Sequence, residues 1–552
     1  MRRAFLIASL YCLAQAASLG AVDLARAEAT AASDAQAASP PAQSIAVPDA
    51  VVSPEAAGSP EPAATESPVA APQSAEAAPP PHPIVAIIRD KLADPDIRKD
   101  AQADDVAALE AFYGAWSGAP LWITEMGFSA RAQAALFEIE KADDWGLEAK
   151  AFALPPAGAL PANVEAQALA EIKLDLAILK YARFARGGRY DAAISDMLDL
   201  SPPLRDPKTV IAEIGVTHAP DAYLRSLHPS HEQFVRLHQA LLDARDKEKE
   251  DAKLSATDIK RIILNMERWR WMPEELGPLY VWLNTPEFML YVVKDGETIF
   301  QDKTLVGTIG YPTPIFSADM KTVVFNPDWV APPSVLQDKL LPALRRKYFN
   351  ILNANKLRVS YQGKPVDPTK IDWNRVNIHS FTFSQKSGPK NVLGKAKFLY
   401  PNKHIVYMHD TLSYRQKVFK ETRRDIGYGC VRMQNPRRFA EVLLAEDQDW
   451  EASKVKDLWD KGVNRAVSIE QKLPVHTTYF TAVVDKDGKL STFGDLYGID
   501  RKMAVTMFGS ADGFPVPPPE PKRSSGAVAS SAPARDTGGG TGISSSLGFL
   551  GD

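Results

Sequence analysis

Compositional bias at both ends of this chain limits where a folded core can form. Residues 28–83 are dominated by Ala, Pro, Ser and Glu, and residues 514–552 are rich in Pro, Ser and Gly. Segments of this composition bury too little apolar surface to offset the entropy of ordering, so both are predicted to be disordered. About 430 residues remain between them. That is too many for one hydrophobic core and enough for two or three domains.

Residues 1–27 have the features of a secretory signal peptide. Arg2 and Arg3 form a positive n-region, an apolar stretch runs from Ala4 to Leu13, and Ala25-Arg26-Ala27 offers a small-residue cleavage site. The apolar stretch is shorter than the ~20 residues that a spanning helix needs, which disfavours a membrane anchor. We therefore expect a protein secreted to the periplasm, with no stable membrane insertion after cleavage.

Cysteine usage and charge narrow the class of protein further. The chain has two cysteines, Cys12 and Cys430, and a formal net charge of −4. Cys12 would leave with the signal peptide, so the mature chain holds one thiol and no internal disulfide. Such a cysteine is either a buried small hydrophobe or a reactive group. The near-neutral charge provides no basic surface for a nucleic acid partner.

The hydrophobic pattern changes from helical to β along the central region. In residues 84–252 the apolar side chains recur at helical spacing, which predicts a helical domain. Residues 258–510 contain strand-like runs joined by Asp-Gly turns, as in Lys294–Glu297, which predicts a mostly β domain. A helical pattern returns in residues 336–378, where an insertion is either a lid or a structural elaboration. The predicted fold class is α+β and multidomain.

The strongest chemical signal is a cysteine that follows a glycine-rich turn. Gly427 and Gly429 bracket Tyr428 directly before Cys430, and glycines permit the sharp turn that presents a side chain. The backbone N–H groups of such a turn can bind the oxyanion that forms when a thiolate attacks a carbonyl. The positive charge of Arg432 favours the thiolate if the two side chains approach each other.

A thiol nucleophile also needs a base. The segment from His404 to His409 is predicted to be a strand, whose alternation places Tyr407 and His409 on one face. A histidine at the end of a strand is well placed to accept a proton, although a structural histidine is the commoner case. His404, His379 and His476 remain competing candidates.

Three histidines of the helical domain raise the question of a metal site. His228, His231 and His238 lie close in sequence, but no fourth ligand or catalytic spacing accompanies them, so polar surface is the favoured interpretation. The paired ligand motif of a zinc peptidase is also missing from the sequence. We therefore expect no metal and no cofactor.

The cysteine segment resembles the motif of the YkuD-type L,D-transpeptidases, and the chain is most similar to their long YcbB-like branch. That motif is a histidine, a gap, and then Ser/Thr–His/Ser–Gly–Cys–Val/Ile–Arg. This chain has His409-Asp410-Thr411 and, after a gap, the run from Gly427 to Arg432. The resemblance covers about residues 100–500. Further matching segments are Phe112-Tyr113, Leu121-Trp122, Gly146-Leu147, Gly187–Arg189, Asn265–Trp271, Asn284–Phe288, Val306-Gly307, Pro312–Pro314, Asn326–Trp329, Gly388–Asn391, Leu393-Gly394, Lys397-Phe398 and Pro401-Asn402.

The resemblance implies a helical scaffold domain, then a catalytic domain in which residues 336–378 form a capping subdomain. It implies that Cys430 attacks the L-centre carbonyl of a donor stem peptide of peptidoglycan. The amine of a neighbouring stem then resolves the acyl-enzyme into a 3–3 crosslink, in cell wall biogenesis and maintenance of cell shape. His409 would carry the proton, oriented by the backbone carbonyl of Asp410, and the N–H groups of Gly429 and Cys430 would hold the oxyanion.

The same resemblance implies that Tyr428 and Tyr407 contact the substrate and that Arg432 positions either the turn or a substrate carboxylate. Gly427 and Tyr428 depart from the family motif, and the small peptidoglycan-binding module that long members often carry has no counterpart near residues 250–258. An L,D-carboxypeptidase or an amine-exchange enzyme would use the same residues. The alternative of another class is a non-catalytic peptidoglycan-binding scaffold. No protein partner is predicted.

Overall fold

The structure of the chain is a computed structural model that describes residues 82–156, 163–189, 197–246, 254–517 and 519. The predicted signal peptide, nearly all of the predicted linker over 28–83 and most of the predicted tail lie outside these residues. Among the helices that the structure describes, none has both the length and the apolar character needed to cross a bilayer.

The described residues between 83 and 227 form a helical domain around one hydrophobic core, as the helical periodicity predicts. Side-chain caps set several helix starts: the Ser129 hydroxyl accepts from the N–H of Ala132, and Asn163 accepts from the N–H of Ala166. The central element is the long helix Val164–Gly187, which is buried on several faces. Its neighbours are the helices Pro83–Leu92, Ala103–Ala115, Ala130–Glu140, Pro207–Val216 and Pro220–Ser226. The helix Pro95–Asp100 packs beside the first of these, and the strands Ile123–Thr124 and Gly127–Phe128 form a hairpin. The helix Glu232–Arg245 packs against the helix Ala256–Trp269 in a separate cluster.

A mixed, curled sheet forms the second domain, which confirms the mostly β prediction. At the predicted Asp-Gly turn, Asp295 (φ 49°) and Gly296 (φ 83°) both have positive φ, as a tight two-residue hairpin turn requires. Across the sheet the strands lie in the order Arg465–Ser468, Thr322–Phe325, Ala396–Leu399, Met408–His409, Val431–Met433, Glu297–Gly307, Met289–Lys294, Leu279–Asn284, Pro474–Thr478, Ile315–Asp319 and Leu198–Asp199, and Asp425–Gly427 also pairs with Glu297–Gly307.

Helices cover the sheet and bind the two domains together. Pro436–Gln448 and Ala452–Lys461 pack on the core of the sheet. Ala256–Trp269 packs between the helical domain and the hairpin formed by Ala482–Val484 and Leu490–Thr492. Ile499–Phe508 completes the domain beside the same helix. The edge strand Leu198–Asp199, which lies between the helices of the scaffold block, also belongs to the catalytic sheet, so the two domains share backbone hydrogen bonds.

The capping insertion is only partly helical, which corrects the prediction of a helical subdomain. Its strands form a separate four-stranded sheet in the order Lys364-Pro365, Arg358–Tyr361, Phe381–Gln385 and Trp329-Val330. Its helical segments are Pro333–Val335, Leu336–Leu340, Leu341–Arg345 and Asn350–Ala354, the second of which is π-helical. The cap therefore spans 329–385 and has its own core around Trp373 and Phe383.

Two further predictions fail because tertiary packing buries the residues concerned. The disordered tail was expected from residue 514, but Phe514 is 2% exposed and its carbonyl accepts from Arg501 (2.7 Å). His228 was expected on a polar surface. It is buried, stacks on Trp145 with ring centroids 4.1 Å apart, and hydrogen-bonds the Tyr181 hydroxyl (2.9 Å). Among the described residues, no cluster of His, Cys, Asp and Glu could hold a metal ion.

Two buried acids hold the loop at Leu121-Trp122 against the long scaffold helix. Glu171 accepts hydrogen bonds from the backbone N–H groups of Leu121 and Trp122, and Asp175 accepts from the Trp122 indole (2.6 Å). The Tyr113 hydroxyl lies 2.7 Å from Asp175 and 3.2 Å from Glu171. No lysine or arginine of the described chain pairs with either acid. Burial therefore raises the pKa of both carboxyl groups, and the charge of Asp175 adds to the effect on Glu171.

We predict that this acid pair makes the scaffold domain less stable as the pH rises. A carboxyl group whose pKa is raised by folding stabilises the fold below its ordinary range, and this contribution is lost as the pH rises through the raised value. The substitution Glu171→Gln should therefore flatten the decline of the urea unfolding midpoint between pH 4 and pH 8. The matched control is Glu165→Gln, which alters an exposed residue of the same helix. Parallel pH profiles for wild type and Glu171→Gln would contradict the prediction.

Candidate active site

Parallel strand pairing brings the predicted nucleophile and base into one region. Cys430 directly precedes the strand Val431–Met433, which pairs in parallel with Met408–His409. In this register His409 lies opposite Arg432, and the N–H of Val431 donates to the carbonyl of Tyr407 (3.2 Å). The base and the residue after the nucleophile therefore occupy neighbouring strands.

The strand that carries His409 is shorter than predicted. Only Met408–His409 is extended, because Ile405 adopts a φ of 58° and the chain before it forms a turn. The side chain of Asn402 holds this turn by accepting from the N–H groups of His404 (3.1 Å) and Val406 (3.2 Å). These N–H groups therefore bond to the nearby Asn402 side chain and not, as the alternating pattern alone would predict, to a neighbouring strand.

Gly429 shapes the turn that presents the cysteine. Its φ is 87°, a left-handed conformation that glycine adopts without strain. Its carbonyl accepts from the hydroxyl of Thr313 (2.8 Å), and that hydroxyl accepts from the N–H of Gly307 (2.9 Å). Within the part of the chain that the structure describes, the N–H groups of Gly429 and Cys430 donate to no protein acceptor. This arrangement leaves two adjacent donors available beside the thiol.

The Cys430 thiol is partly exposed and contacts Tyr407. Its sulfur is hydrogen-bonded to the backbone N–H and to the phenol of Tyr407, and the indole of Trp329 donates to the same phenol. Burial raises the pKa of the Cys430 thiol, while the Tyr407 N–H and the charges of Arg432 and Lys397 act in the opposite direction. The resting group is therefore a thiol in a site prepared to accept negative charge.

His409 is 4% exposed and is held in one tautomer. Its Nδ1 lies 2.8 Å from the backbone carbonyl of Asp410, which can only accept, so Nδ1 carries the proton and Nε2 keeps a lone pair. Burial, and then the charge of Arg432, lower the pKa of His409 to about 3. The Asp410 carboxylate turns away and accepts from the N–H groups of Lys395 (2.8 Å) and Thr411 (2.6 Å). Burial raises the pKa of the Asp410 carboxyl to about 6.

The competing histidines lie elsewhere. His404 binds Asp199 on the edge strand (3.0 Å). His476 is held between the Ser317 hydroxyl (2.8 Å) and the carbonyl of Leu276 (3.1 Å). His379 is an exposed residue of the cap. His409 is thus the candidate base that shares a strand pair with the cysteine.

The two departures from the family motif have structural counterparts. A Cβ added to Gly427 would lie 2.9 Å from the carbonyl oxygen of Val306, so the backbone packs too closely for a serine or threonine. The Tyr428 ring packs on Tyr311 with centroids 4.8 Å apart. The Tyr311 hydroxyl donates to Asp338 of the cap (2.9 Å), and Lys339 Nζ lies 5.5 Å from the Tyr428 ring centroid. Tyr428 therefore belongs to a seam between the cysteine turn and the cap.

Sequence reasoning placed Tyr407 near the site but missed its contact with the sulfur, and it missed Thr313 and Lys397. Lys397 and Thr313 lie in segments that match the family pattern, so a signal existed, although it did not reveal their roles. The register of the strand pair brings Lys397 to the site, whereas Thr313 reaches it from a loop through its hydrogen bond to the Gly429 carbonyl. Arg432 lies opposite His409 in the strand pair and is buried, a position that the sequence did not predict.

Comparison with known proteins agrees with the two-domain architecture. Residues 107–241 match a family model described as a scaffold domain, and residues 278–461 match the YkuD model, described as an L,D-transpeptidase catalytic domain. A curated Haemophilus influenzae protein named "Putative L,D-transpeptidase" is 29% identical over 245 residues. The match covers 44% of this chain and 49% of the relative, so the chain spans about half the length of that relative.

A solved structure described as "Structure of the Ldtfm-avibactam carbamoyl enzyme" is also similar to this chain. The match has 11% sequence identity and a TM-score of 0.18, and it covers 38% of this chain and 51% of that chain. A TM-score this low does not establish a common fold.

We predict that the His409 imidazole stays neutral, with its proton on Nδ1, from pH 8 down to pH 5, because its pKa is lowered to about 3. Long-range 15N–1H NMR spectra of histidine-labelled protein would report the tautomer, and a His409→Gln variant would assign the signal. A titration of this signal with a midpoint near pH 6 would refute the predicted electrostatic environment.

Proposed function

We propose that this chain, in which a match to a scaffold domain precedes a match to an L,D-transpeptidase catalytic domain, crosslinks peptidoglycan stem peptides. The proposed product is a 3–3 crosslink made through a Cys430 acyl-enzyme, in cell wall biogenesis and maintenance of cell shape. The observation that carries the proposal is the His409 Nδ1 bond to the Asp410 carbonyl, since it leaves Nε2 as a proton acceptor in the region of the thiol.

In the acylation step, His409 Nε2 takes the thiol proton as sulfur attacks the carbonyl of the L-centre residue of a donor tetrapeptide. The tetrahedral oxyanion is held by the N–H groups of Gly429 and Cys430, which have no other acceptor within the described residues. Collapse of this intermediate breaks the amide bond, and the departing amine of D-alanine takes the proton from His409. A thioester on Cys430 remains.

In the second step, the side-chain amine of a neighbouring stem attacks the thioester. His409 accepts a proton from that amine and returns it to the sulfur, so the thiol and the neutral imidazole are restored. Water as the acceptor would give an L,D-carboxypeptidase, and another amine would give an exchange enzyme. The same residues serve all three reactions, so the acceptor must be determined by analysis of the product.

Three further residues have proposed roles in this reaction. Arg432 lies opposite His409 in the strand pair, where its charge favours the thiolate and holds the imidazole neutral. Tyr407 fixes the sulfur through its N–H and phenol. Tyr428, on the seam with the cap, is placed to contact a bound stem peptide. With the signal peptide predicted over residues 1–27, the proposed site of action is the periplasm.

The acyl-enzyme is tested by intact-mass analysis of purified protein after incubation with a carbapenem, whose strained amide resembles the acyl donor. We expect one covalent adduct on wild type and none on Cys430→Ala. Incubation with tetrapeptide-containing muropeptides then identifies the acceptor, since a crosslinked dimer, a tripeptide or an exchanged stem differ in mass. A folded wild-type protein with no adduct and no product would favour the non-catalytic scaffold instead.

Gly429 provides a test of the geometry of the turn. We predict that Gly429→Ala slows carbapenem acylation about tenfold or more, because an L-residue resists a φ of 87° and small displacements of reacting groups are costly. The matched control is Gly488→Ala, which imposes similar strain (φ 80°) in a hairpin distant in sequence, where an added Cβ meets nothing within 4 Å. If both variants slowed acylation to the same extent, backbone strain alone would explain the effect.

A further inference from the structure

A half-buried lysine lies opposite the candidate base, with no carboxylate partner among the described residues. Lys397 is on the strand Ala396–Leu399, and no acid of the described chain lies within ion-pairing distance of its ammonium group. Its Nζ lies 4.1 Å from the ring centroid of Tyr407, a cation–π contact that fixes its position. A desolvated cation without a counter-ion is unfavourable unless an anion forms nearby.

The strand register directs this lysine toward the catalytic pair. Lys397 is the antiparallel cross-strand partner of His409, so the two side chains emerge on the same face of the sheet. The Lys397 ammonium lies over the Tyr407 ring, and the phenol of Tyr407 is hydrogen-bonded to the Cys430 sulfur. Lys397, Tyr407 and Cys430 therefore form a continuous cluster that joins two strands and the cysteine turn.

We propose that Lys397 is a counter-cation for the Cys430 thiolate, held in place by the Tyr407 ring, and that it stabilises the negative sulfur as the proton leaves. Its electrostatic interaction with Cys430 is reciprocal: it favours the thiolate and it favours the protonated lysine. The lysine also disfavours protonation of His409. Lys397 thus makes the sulfur easier to ionise and the imidazolium readier to give up its proton.

Other charged and titratable groups also act on the sulfur, and the experiment must separate Lys397 from them. Arg432, on the strand that follows the nucleophile, has the larger charge effect on Cys430, so the contribution of Lys397 is additional. The groups that face the sulfur from the surrounding elements are Arg432, Tyr407, Tyr400 and Lys397, with His409 on the paired strand.

This inference deepens the proposed function, because it concerns the same nucleophile, but its test needs no acyl transfer. The rate of Cys430 alkylation by iodoacetamide is measured against pH on the full chain, by mass spectrometry of the Cys430 peptide. We expect Lys397→Met to raise the pH midpoint of alkylation by about one unit, the lower end of the effect of a nearby opposite charge. Lys397→Arg, which keeps the charge, should restore most of the difference.

Lys395→Met is the matched control, since Lys395 is exposed two residues earlier and its ammonium reaches Trp459 and Asp460 instead. Its alkylation profile should superimpose on that of wild type. If Lys397→Met does not fold, Lys397→Gln is used in the same assay. A profile that coincides with wild type, or an equal shift in the arginine variant, would overturn the proposal. A loss of carbapenem acylation with no change in alkylation would likewise overturn it, because the lysine would then bind the acyl donor.

Discussion

The parallel pairing of Met408–His409 with Val431–Met433 is the constraint on which the site depends. It is only two residues long, yet it joins segments separated by the turn, the 3-10 helix Ser413–Lys420 and the strand Asp425–Gly427. A slip of one residue would turn the His409 side chain to the opposite face of the sheet and away from the sulfur. Flanking pairs with Ala396–Leu399 and Glu297–Gly307 hold the register, so the large sheet maintains a contact too short to form alone.

Burial determines the charge state of the resting site. It raises the pKa of Cys430 and lowers that of His409, so the resting site contains a neutral thiol and a neutral imidazole. The positive charges of Arg432 and Lys397 act in opposite ways on the two reacting groups. They favour negative charge on the sulfur and disfavour positive charge on the imidazole. An imidazolium with a lowered pKa is a strong acid, and a strong acid readily protonates a departing amine. In the proposed reaction the same cations would therefore assist both the attack and the expulsion of the leaving group.

The sequence predicted most strongly those features that local chemistry controls. The helical stripes, the Asp-Gly hairpin and the turn at Gly429 follow from periodicity and from glycine conformation. The predicted strand that ends at His409 was too long. The Asn402 side chain accepts hydrogen bonds from backbone N–H groups in the segment that the alternating pattern assigns to a strand. The helical prediction for the cap missed strands whose paired residues lie 20 to 56 positions apart in the sequence. The sulfur contact of Tyr407 and the place of Lys397 depend on register, which no local pattern specifies.

The same dependence on neighbours explains the changed residues before Cys430. At position 427 the carbonyls of Val306 and Cys430 exclude a side chain, so the polar residue of the family motif does not fit this backbone. At position 428 an aromatic ring replaces the smaller family residue and packs on Tyr311 and near Lys339 of the cap. Tyr311 in turn donates a hydrogen bond to Asp338 of the cap. Tyr407 makes a second connection to the cap, because the indole of Trp329 at the base of the cap donates a hydrogen bond to its phenol. Tyr428 and Tyr407 therefore both connect the cysteine turn to the cap through aromatic contacts.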